Sequence, residues 1–270
     1  MNIQDLTLTS LETITAFDVA SSAYLFTLDE LQNAKLDQSE DKQDITGKGG
    51  RKLSSLKKNK AVKISGTNGM VSGGLLSVQT GGTIERKTTT VLWADYLTVK
   101  SNTATTNYKA FGGFGGLGNE IQTIYVKNAD YTIGEILTQA AEVNVGNKTF
   151  TYNPETKTIT LPELESIKDG TEIIAYYDRK ITADVLVNES DVYSKKATLY
   201  IDAFAEDKCN NIYRVQFFIP KADFSGTFSI DMGENQTVHA FEAEALAGAC
   251  GTSGQLWTAT IFGSDTKDVA

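Results

Sequence analysis

Residue types that commonly build catalytic and metal sites are scarce in this chain of 270 residues. It has a single histidine, His239, which excludes most catalytic triads and most histidine-based metal sites. Glu242 and Glu244 lie close enough in sequence to pair with it, but a lone histidine in a strand is usually structural. The two cysteines, Cys209 and Cys250, are too few for a disulfide scaffold and lack the spacing of a zinc site. We expect both thiols to be reduced, and a disulfide between Cys209 and Cys250 is the alternative.

Long apolar runs are also missing. No window approaches 18 consecutive apolar residues, so we expect no membrane span and no membrane partner. Residues 1–17 lack the basic start and apolar stretch of a secretory signal, which predicts synthesis and folding in the cytosol. The net charge of −9 disfavours a general nucleic-acid-binding role, because an acidic surface repels phosphate. Solubility alone would also explain this charge.

What the chain has in quantity is glycine, with 23 residues against 3 prolines, and threonine in short alternating runs. This profile predicts a mainly β fold whose strands are joined by glycine turns. We expect Pro220 to end the strand that precedes it, because proline lacks the ladder donor. The predicted strands are Ala23–Leu28, Ala61–Ser65, Thr88–Lys100, Ile121–Lys127, Lys196–Phe204, Ile212–Ile219, Gly226–Met232, Thr237–Ala245 and Leu256–Phe262.

One short helix and one inserted module interrupt the strands. The helix is predicted by helical spacing and by a stop at Gly81; the residues at that spacing are Met70, Gly74, Leu75 and Val78. Residues 121–182 contain a hairpin with a Pro-Glu-Thr turn and a strand Glu172–Asp178, so we expect a small β module there. The remaining core then consists of residues 1–120 together with 183–270.

Residues 113–118 satisfy the pattern G-x-G-x-x-G, but the sequence after them is β rather than helical and no βαβ order exists. A glycine-rich loop is therefore a better interpretation than a dinucleotide site. Residues 47–52 resemble part of a phosphate-binding loop but lack the complete motif. No catalytic constellation rises above chance, so we expect no enzymatic activity, no cofactor and no metal.

Lys48, Arg51, Lys52 and Lys57 belong to the one basic cluster of this acidic chain. They follow Ala34–Asp44, a polar stretch that is typical of a long exposed hairpin or arm. The cluster is either a solvated face or a subunit interface that meets an acidic patch on another copy. We retain both interpretations and take these four residues as the candidate interface.

Three stretches together resemble a phage tail tube protein: Asp41–Gly81, Tyr213–Leu246 and the closing Leu256–Phe262. The resemblance implies a tail-tube-like β-barrel or sandwich with a short flanking helix. It also implies a virion structural protein that forms stacked, hexameric rings, contacts other tail proteins and lets DNA pass as non-specific cargo. Long loops such as Asp29–Gly50 would then reach between rings, and we expect assembly to depend on the segment Asp29–Lys60.

Two other functions remain open. The chain could be another virion protein, such as a capsid or decoration protein. It could also be a carbohydrate- or receptor-binding β module that stacks ligands on Trp93, Tyr176, Tyr177 or Trp257, although their strand contexts favour burial of most of them.

Overall fold

The computed structural model describes residues 5–112, 120–121, 123–128, 130–232, 237–247 and 254–263. Strand accounts for 61% and helix for 5%, and the strands form two curled sheets with one short helix, so the predicted mainly β fold is confirmed. Contacts divide the chain into two compact units, residues 1–84 with 186–270 and residues 85–185. No helix among the described residues is long and apolar enough to cross a membrane.

The first unit is a nine-stranded sheet. Its strand order is β2-β1-β12-β13-β15-β4-β3, with β14 paired to β15 and β16 paired to β13. The strands are β1 Leu6–Asp18, β2 Tyr24–Leu28, β3 Lys35–Thr46, β4 Lys52–Asn68, β12 Lys196–Asp207, β13 Ile212–Phe224, β14 Ile230–Met232, β15 Thr237–Ala245 and β16 Thr258–Gly263. Strict alternation buries every second residue of β12, which fixes the inner face of this sheet.

The predicted helix is confirmed as α1, Gly73–Thr80. Ser72 caps its start by accepting a hydrogen bond from the Leu75 N–H, and Gly81 ends it at φ 78°, a left-handed conformation that suits glycine. Leu75 and Val78 are buried in the core of the first unit. The helix therefore covers the inner face of the sheet.

The second unit is a seven-stranded sheet in the order β5-β11-β7-β8-β9-β10-β6. Its strands are β5 Ile84–Thr98, β6 Thr103–Thr105, β7 Thr123–Lys127, β8 Ile133–Gln139, β9 Thr149–Asn153, β10 Thr158–Thr160 and β11 Glu172–Leu186. β9 and β10 form the hairpin that the sequence predicts. The predicted module 121–182 lies within this unit, which also takes in β5 and β6. That residues 121–182 fold as a separate insert stays a prediction.

The prediction that Pro220 ends its strand is wrong, because β13 continues to Phe224. Before the proline, β13 pairs with β16 through residues 213–218, and after it with β15 through residues 222–224. On the other side a bulge between Ala197 and Leu199 of β12 leaves Pro220 out of the ladder. The missing N–H therefore costs no ladder bond, and the Pro220 carbonyl accepts a hydrogen bond from Thr198 Oγ1 at 3.0 Å.

Two further strands differ from the prediction. The strand predicted at Gly226–Met232 is only three residues long, as β14. β1, thirteen residues long, was not predicted at all. It pairs with β12 along its length and places Ile14 and Ala16 in the core, so it is a central part of the first unit.

Candidate assembly surface

The most exposed feature of the first unit is the outer part of the β3–β4 hairpin, residues 39–60, which we call the arm. Every residue of the arm except Gly47 and Ser55 is exposed to solvent. A 3-10 helix, Lys48–Gly50, forms its tip, and Gly49 and Gly50 take the positive φ angles that the turn requires. The exposed hairpin predicted from the polar stretch is therefore present, as two paired strands rather than a loop.

The arm also carries a local excess of positive charge. It contains seven Lys or Arg residues and three Asp or Glu residues, a net +4 against −9 for the whole chain. The remainder of the chain is thus −13. A basic projection on a strongly acidic chain gives two copies a favourable way to approach each other.

The four predicted interface residues all lie on the arm. Lys48 and Arg51 are at the tip, and neither forms an ion pair with any residue that the structure describes. Lys52 instead pairs with Asp44 at 2.6 Å, and Lys57 pairs with Glu40 at 2.7 Å.

The hydrogen bond from Lys57 holds the pKa of Glu40 below its ordinary value. Two of the four predicted residues therefore brace the arm internally, and the other two, at the tip, form no ion pair within the described ranges.

The two faces of the arm differ. Both ion pairs lie on one face of the arm. Residues 40 and 44 of β3 lie on that face, and they alternate along the strand with residues 41, 43 and 45, which lie on the other face. The other face carries Ile45, opposite Ser54, and Leu56, opposite Gln43. Ile45 is 51% exposed and Leu56 54% exposed. This face of the arm therefore carries apolar as well as polar surface.

A bulge separates the arm from the core part of the hairpin. Asn59 takes a left-handed conformation at φ 53°, and the β3–β4 register shifts between Ser39 and Asp41. The Asn59 side-chain amide donates to Asp41 Oδ2 at 2.8 Å, which holds the bulge in place. Beyond it Val62 and Ile64 enter the core, so the bulge marks the base of the arm.

The aromatic side chains considered as ligand platforms are divided between the two units. Tyr177 is fully buried, whereas Tyr176, on the opposite face of β11, is 36% exposed. Trp93 is packed edge-on against Tyr108 at 5.2 Å. Trp257 belongs to the other unit, where its indole N–H donates to Gln38 Oε1 at 3.0 Å. Burial and internal contacts thus account for most of these rings.

Sequence reasoning missed the most connected polar group of the second unit, Asp95. This carboxylate is 2% exposed and accepts hydrogen bonds from Tyr177 Oη at 2.6 Å, Asn107 N at 2.8 Å, Asn107 Nδ2 at 2.7 Å and Trp93 Nε1 at 2.9 Å. Burial opposes its ionisation, but these donors outweigh burial and lower the pKa of Asp95. Burial and the Asp95 contact raise the pKa of Tyr177. The network is structural, since its donors are all used within the unit.

The structural interpretation of His239 is confirmed. The ring is fully buried, and burial lowers its pKa. The Ser72 N–H donates to Nδ1 at 3.4 Å, so Nε2–H donates to Gln79 Oε1 at 2.7 Å. Glu242 pairs with Lys63 at 2.7 Å rather than with the histidine. His239 therefore ties helix α1 to β15.

The other sequence candidates add no chemical site. Cys209 is exposed and has no disulfide partner within the described ranges, while Cys250 lies outside them. The glycine-rich residues 113–118 also lie outside the described residues. Within the described ranges, no three His, Cys, Asp or Glu side chains come together as ligands for a metal ion.

Residues 6–258 match the YomU/Tube protein family, and the chain belongs to that family. The match covers nearly the whole chain and is consistent with a phage tail tube protein, which confirms the family resemblance seen in Asp41–Gly81 and Tyr213–Leu246. No curated protein matches the chain.

Proposed function

We propose that this protein is the subunit of a phage tail tube, in which hexameric rings stack into a hollow tube that DNA passes through. The observation that carries the proposal is the family match over residues 6–258 together with the exposed arm. A stacking subunit needs a surface that leaves its own core and reaches another copy, and the arm is such a surface. The subunit acts without catalysis or a cofactor, is assembled in the host cytoplasm and resides in the virion tail beside other tail proteins.

The charge distribution supports the passage of DNA. The chain outside the arm has a net charge of −13. Lys or Arg side chains that faced the channel would bind DNA phosphates and hold the DNA there. An acidic lumen lets the polyanion slide, while the basic arms engage protein. The same charge argues against DNA as a bound ligand.

Electron microscopy of the purified chain tests the proposal. We expect six-fold rings or tubes at micromolar concentration, and a variant in which an Asn-Gly turn replaces residues 40–60 should stay folded but fail to form tubes. The turn keeps Ser39 opposite Ala61, and residues 40–60 contribute nothing to the buried core, so the deletion removes only the arm. A parent that stays monomeric at all concentrations, decorates icosahedral shells or binds glycans would contradict the proposal and support one of the alternatives.

Charge-reversing substitutions test the role of the basic cluster. Converting Lys48, Arg51, Lys52 and Lys57 together to Glu should block polymerisation at low salt. It also sets new carboxylates against Asp44 and Glu40, within the arm itself.

The variant Lys48→Glu with Arg51→Glu is more selective, because these two residues form no ion pair among the described residues. It therefore leaves the ion pairs within the arm intact. Light scattering should show slower polymerisation that recovers in about 1 M salt, where the Debye length falls to about 3 Å. Lys100→Glu with Lys168→Glu, two exposed lysines of the other unit, makes the same change in net charge and should polymerise as the parent does. Equal polymerisation of all three chains at low salt would make the cluster a solvated face.

A further inference from the structure

The nine-stranded sheet of the first unit leaves two strand edges open. β2 pairs only with Ile14–Phe17 of β1, so the outer edge of residues 6–13 has no strand partner among the described residues. At the other end of the sheet, β3 pairs with β4 alone. Open edges present unpaired N–H and C=O groups, which can accept an additional strand.

An apolar pocket of about 430 Å³ lies between these two edges. Its lining includes Leu8, Leu11, Ile14, Leu36, Ile64 and Phe217. Leu8 is 58% exposed, although it lies on the same side of β1 as the core residue Ile14. A pocket beside an open edge offers the two requirements for binding an added strand: main-chain partners and a site for its side chains.

The arm carries a complement to this pocket. Ile45 and Leu56 are diagonal neighbours on the arm face that lacks ion pairs, and both are more than half exposed. Both outer edges of the arm also lack a strand partner in the part of the chain that the structure describes, since β15 pairs with β4 only at residues 63–68. The arm can therefore supply an edge strand and apolar side chains together.

A chain cannot fill this pocket with its own arm. Lys35 and Leu36 line the pocket, and Ile45 lies ten residues beyond Lys35 on the same strand. At roughly 3.3 Å per residue that is roughly 33 Å away while β3 stays paired with β4. An arm that fills the pocket must come from a second copy.

Charge favours the same occupant. The arm has a net charge of +4, whereas the rest of the chain has a net charge of −13. The pocket lining holds one charged side chain, Lys35, and that charge is paired with Asp37 at 2.7 Å. The acidic body of one copy therefore attracts the basic arm of another, and the pocket lining adds no unpaired cation that would oppose it.

We propose that the pocket between β1 and β3 receives the arm of the neighbouring copy, with Ile45 and Leu56 inside it and an arm edge paired to residues 6–13. The proposal rests on the proposed self-assembly and adds the surface that receives the arm. Each copy has one arm and one pocket, and the two surfaces differ. The contact is therefore heterologous and can be repeated from copy to copy.

Cross-linking between two differently labelled chains tests the contact. In a background of Cys209→Ser and Cys250→Ser, one chain carries Leu56→Cys and the other Leu8→Cys. After assembly of the mixture, a short bismaleimide should link the two chains to each other. The yield should exceed by about tenfold or more that of a control in which Met232→Cys replaces Leu8→Cys, because docking raises the local thiol concentration. Met232 is 89% exposed and lies outside the pocket.

The outcomes separate this contact from the proposed function. Tubes that form normally but cross-link no better than the control would refute the pocket as the receiving site and leave the tube subunit standing. A chain that never assembles under any condition would refute the proposed function and the contact with it. Cross-links between two Leu8→Cys chains at high yield would mean that open edges meet each other, which also refutes arm docking.

Loss of the apolar side chains gives a second readout. Ile45→Ser with Leu56→Ser should raise the concentration needed for assembly by about tenfold or more, since two large apolar groups leave the contact. The matched control is Tyr131→Ser with Ile133→Ser, which removes two exposed apolar side chains from the other unit and should have no such effect. An equal concentration requirement for both variants would show that the arm face is not buried on assembly.

Discussion

Removal of the Asp95 carboxylate should destabilise the second unit more than most single substitutions. In Asp95→Ala the Tyr177 hydroxyl, fully buried, loses its acceptor, whereas Trp93 and Asn107 are exposed enough to reach water. A buried donor left without a partner costs about 1–3 kcal/mol, and the lost charge-assisted bonds bring the total to about 3–5 kcal/mol. For a unit of about a hundred residues, this corresponds to a fall in Tm of roughly 15–30 °C.

The assay can follow this unit alone. Trp93 and Trp257 are the two tryptophans and belong to different units, so in a Trp257→Phe background the fluorescence of Trp93 reports unfolding of residues 85–185. Tyr177→Phe on its own should cost less than Asp95→Ala. Adding Tyr177→Phe to Asp95→Ala should recover stability, because the orphaned hydroxyl is then absent. A double variant whose loss equals the sum of the two single losses would refute this account of the network.

The same carboxylate gives the second unit a pH dependence. Although burial opposes ionisation, the hydrogen bonds from Tyr177, Asn107 and Trp93 lower the pKa of Asp95 in the folded chain below its ordinary value of 3.8. The unfolded chain therefore binds the proton more readily, and stability rises with pH across this interval. The contribution is complete above the unfolded pKa and is lost as pH falls through the folded pKa. Urea midpoints of the parent should fall below pH 4 more steeply than those of Asp95→Asn.

Sequence reasoning predicted elements whose signals are local. The helix α1 could be predicted because Gly81 and the apolar spacing of Leu75 and Val78 lie within one short segment. β15 was predicted with its observed bounds from alternation alone. β1 was missed because register shifts between Leu8 and Ser10 and between Leu11 and Thr13 break its alternation. A bulged strand loses the period that identifies a strand in sequence.

Features that depend on distant partners could not be predicted. Asp95 and Tyr177 are 82 residues apart, and only the folded sheet brings them together. For the candidate site, composition identified Lys48, Arg51, Lys52 and Lys57 as members of one basic cluster that follows the polar stretch Ala34–Asp44. It could not show that Lys52 and Lys57 are paired across the strands, because an ion pair between strands depends on their register.

The remaining predictions concern the unit boundary and the end of the helix. Residues 85–185 expressed alone should fold, with a β circular dichroism spectrum and a cooperative urea transition, and an insoluble product would show that this unit depends on the rest of the chain. Gly81→Ala should destabilise the chain more than Gly170→Ala in calorimetry. Both glycines have positive φ, so each alanine adds backbone strain of about 1–3 kcal/mol. A Cβ at Gly81 would also lie 2.0 Å from the Tyr193 carbonyl oxygen, whereas none at Gly170 would meet an atom of the described chain within 4 Å. The difference between the two variants therefore measures the clash, and equal losses would show that the 192–193 segment yields without cost.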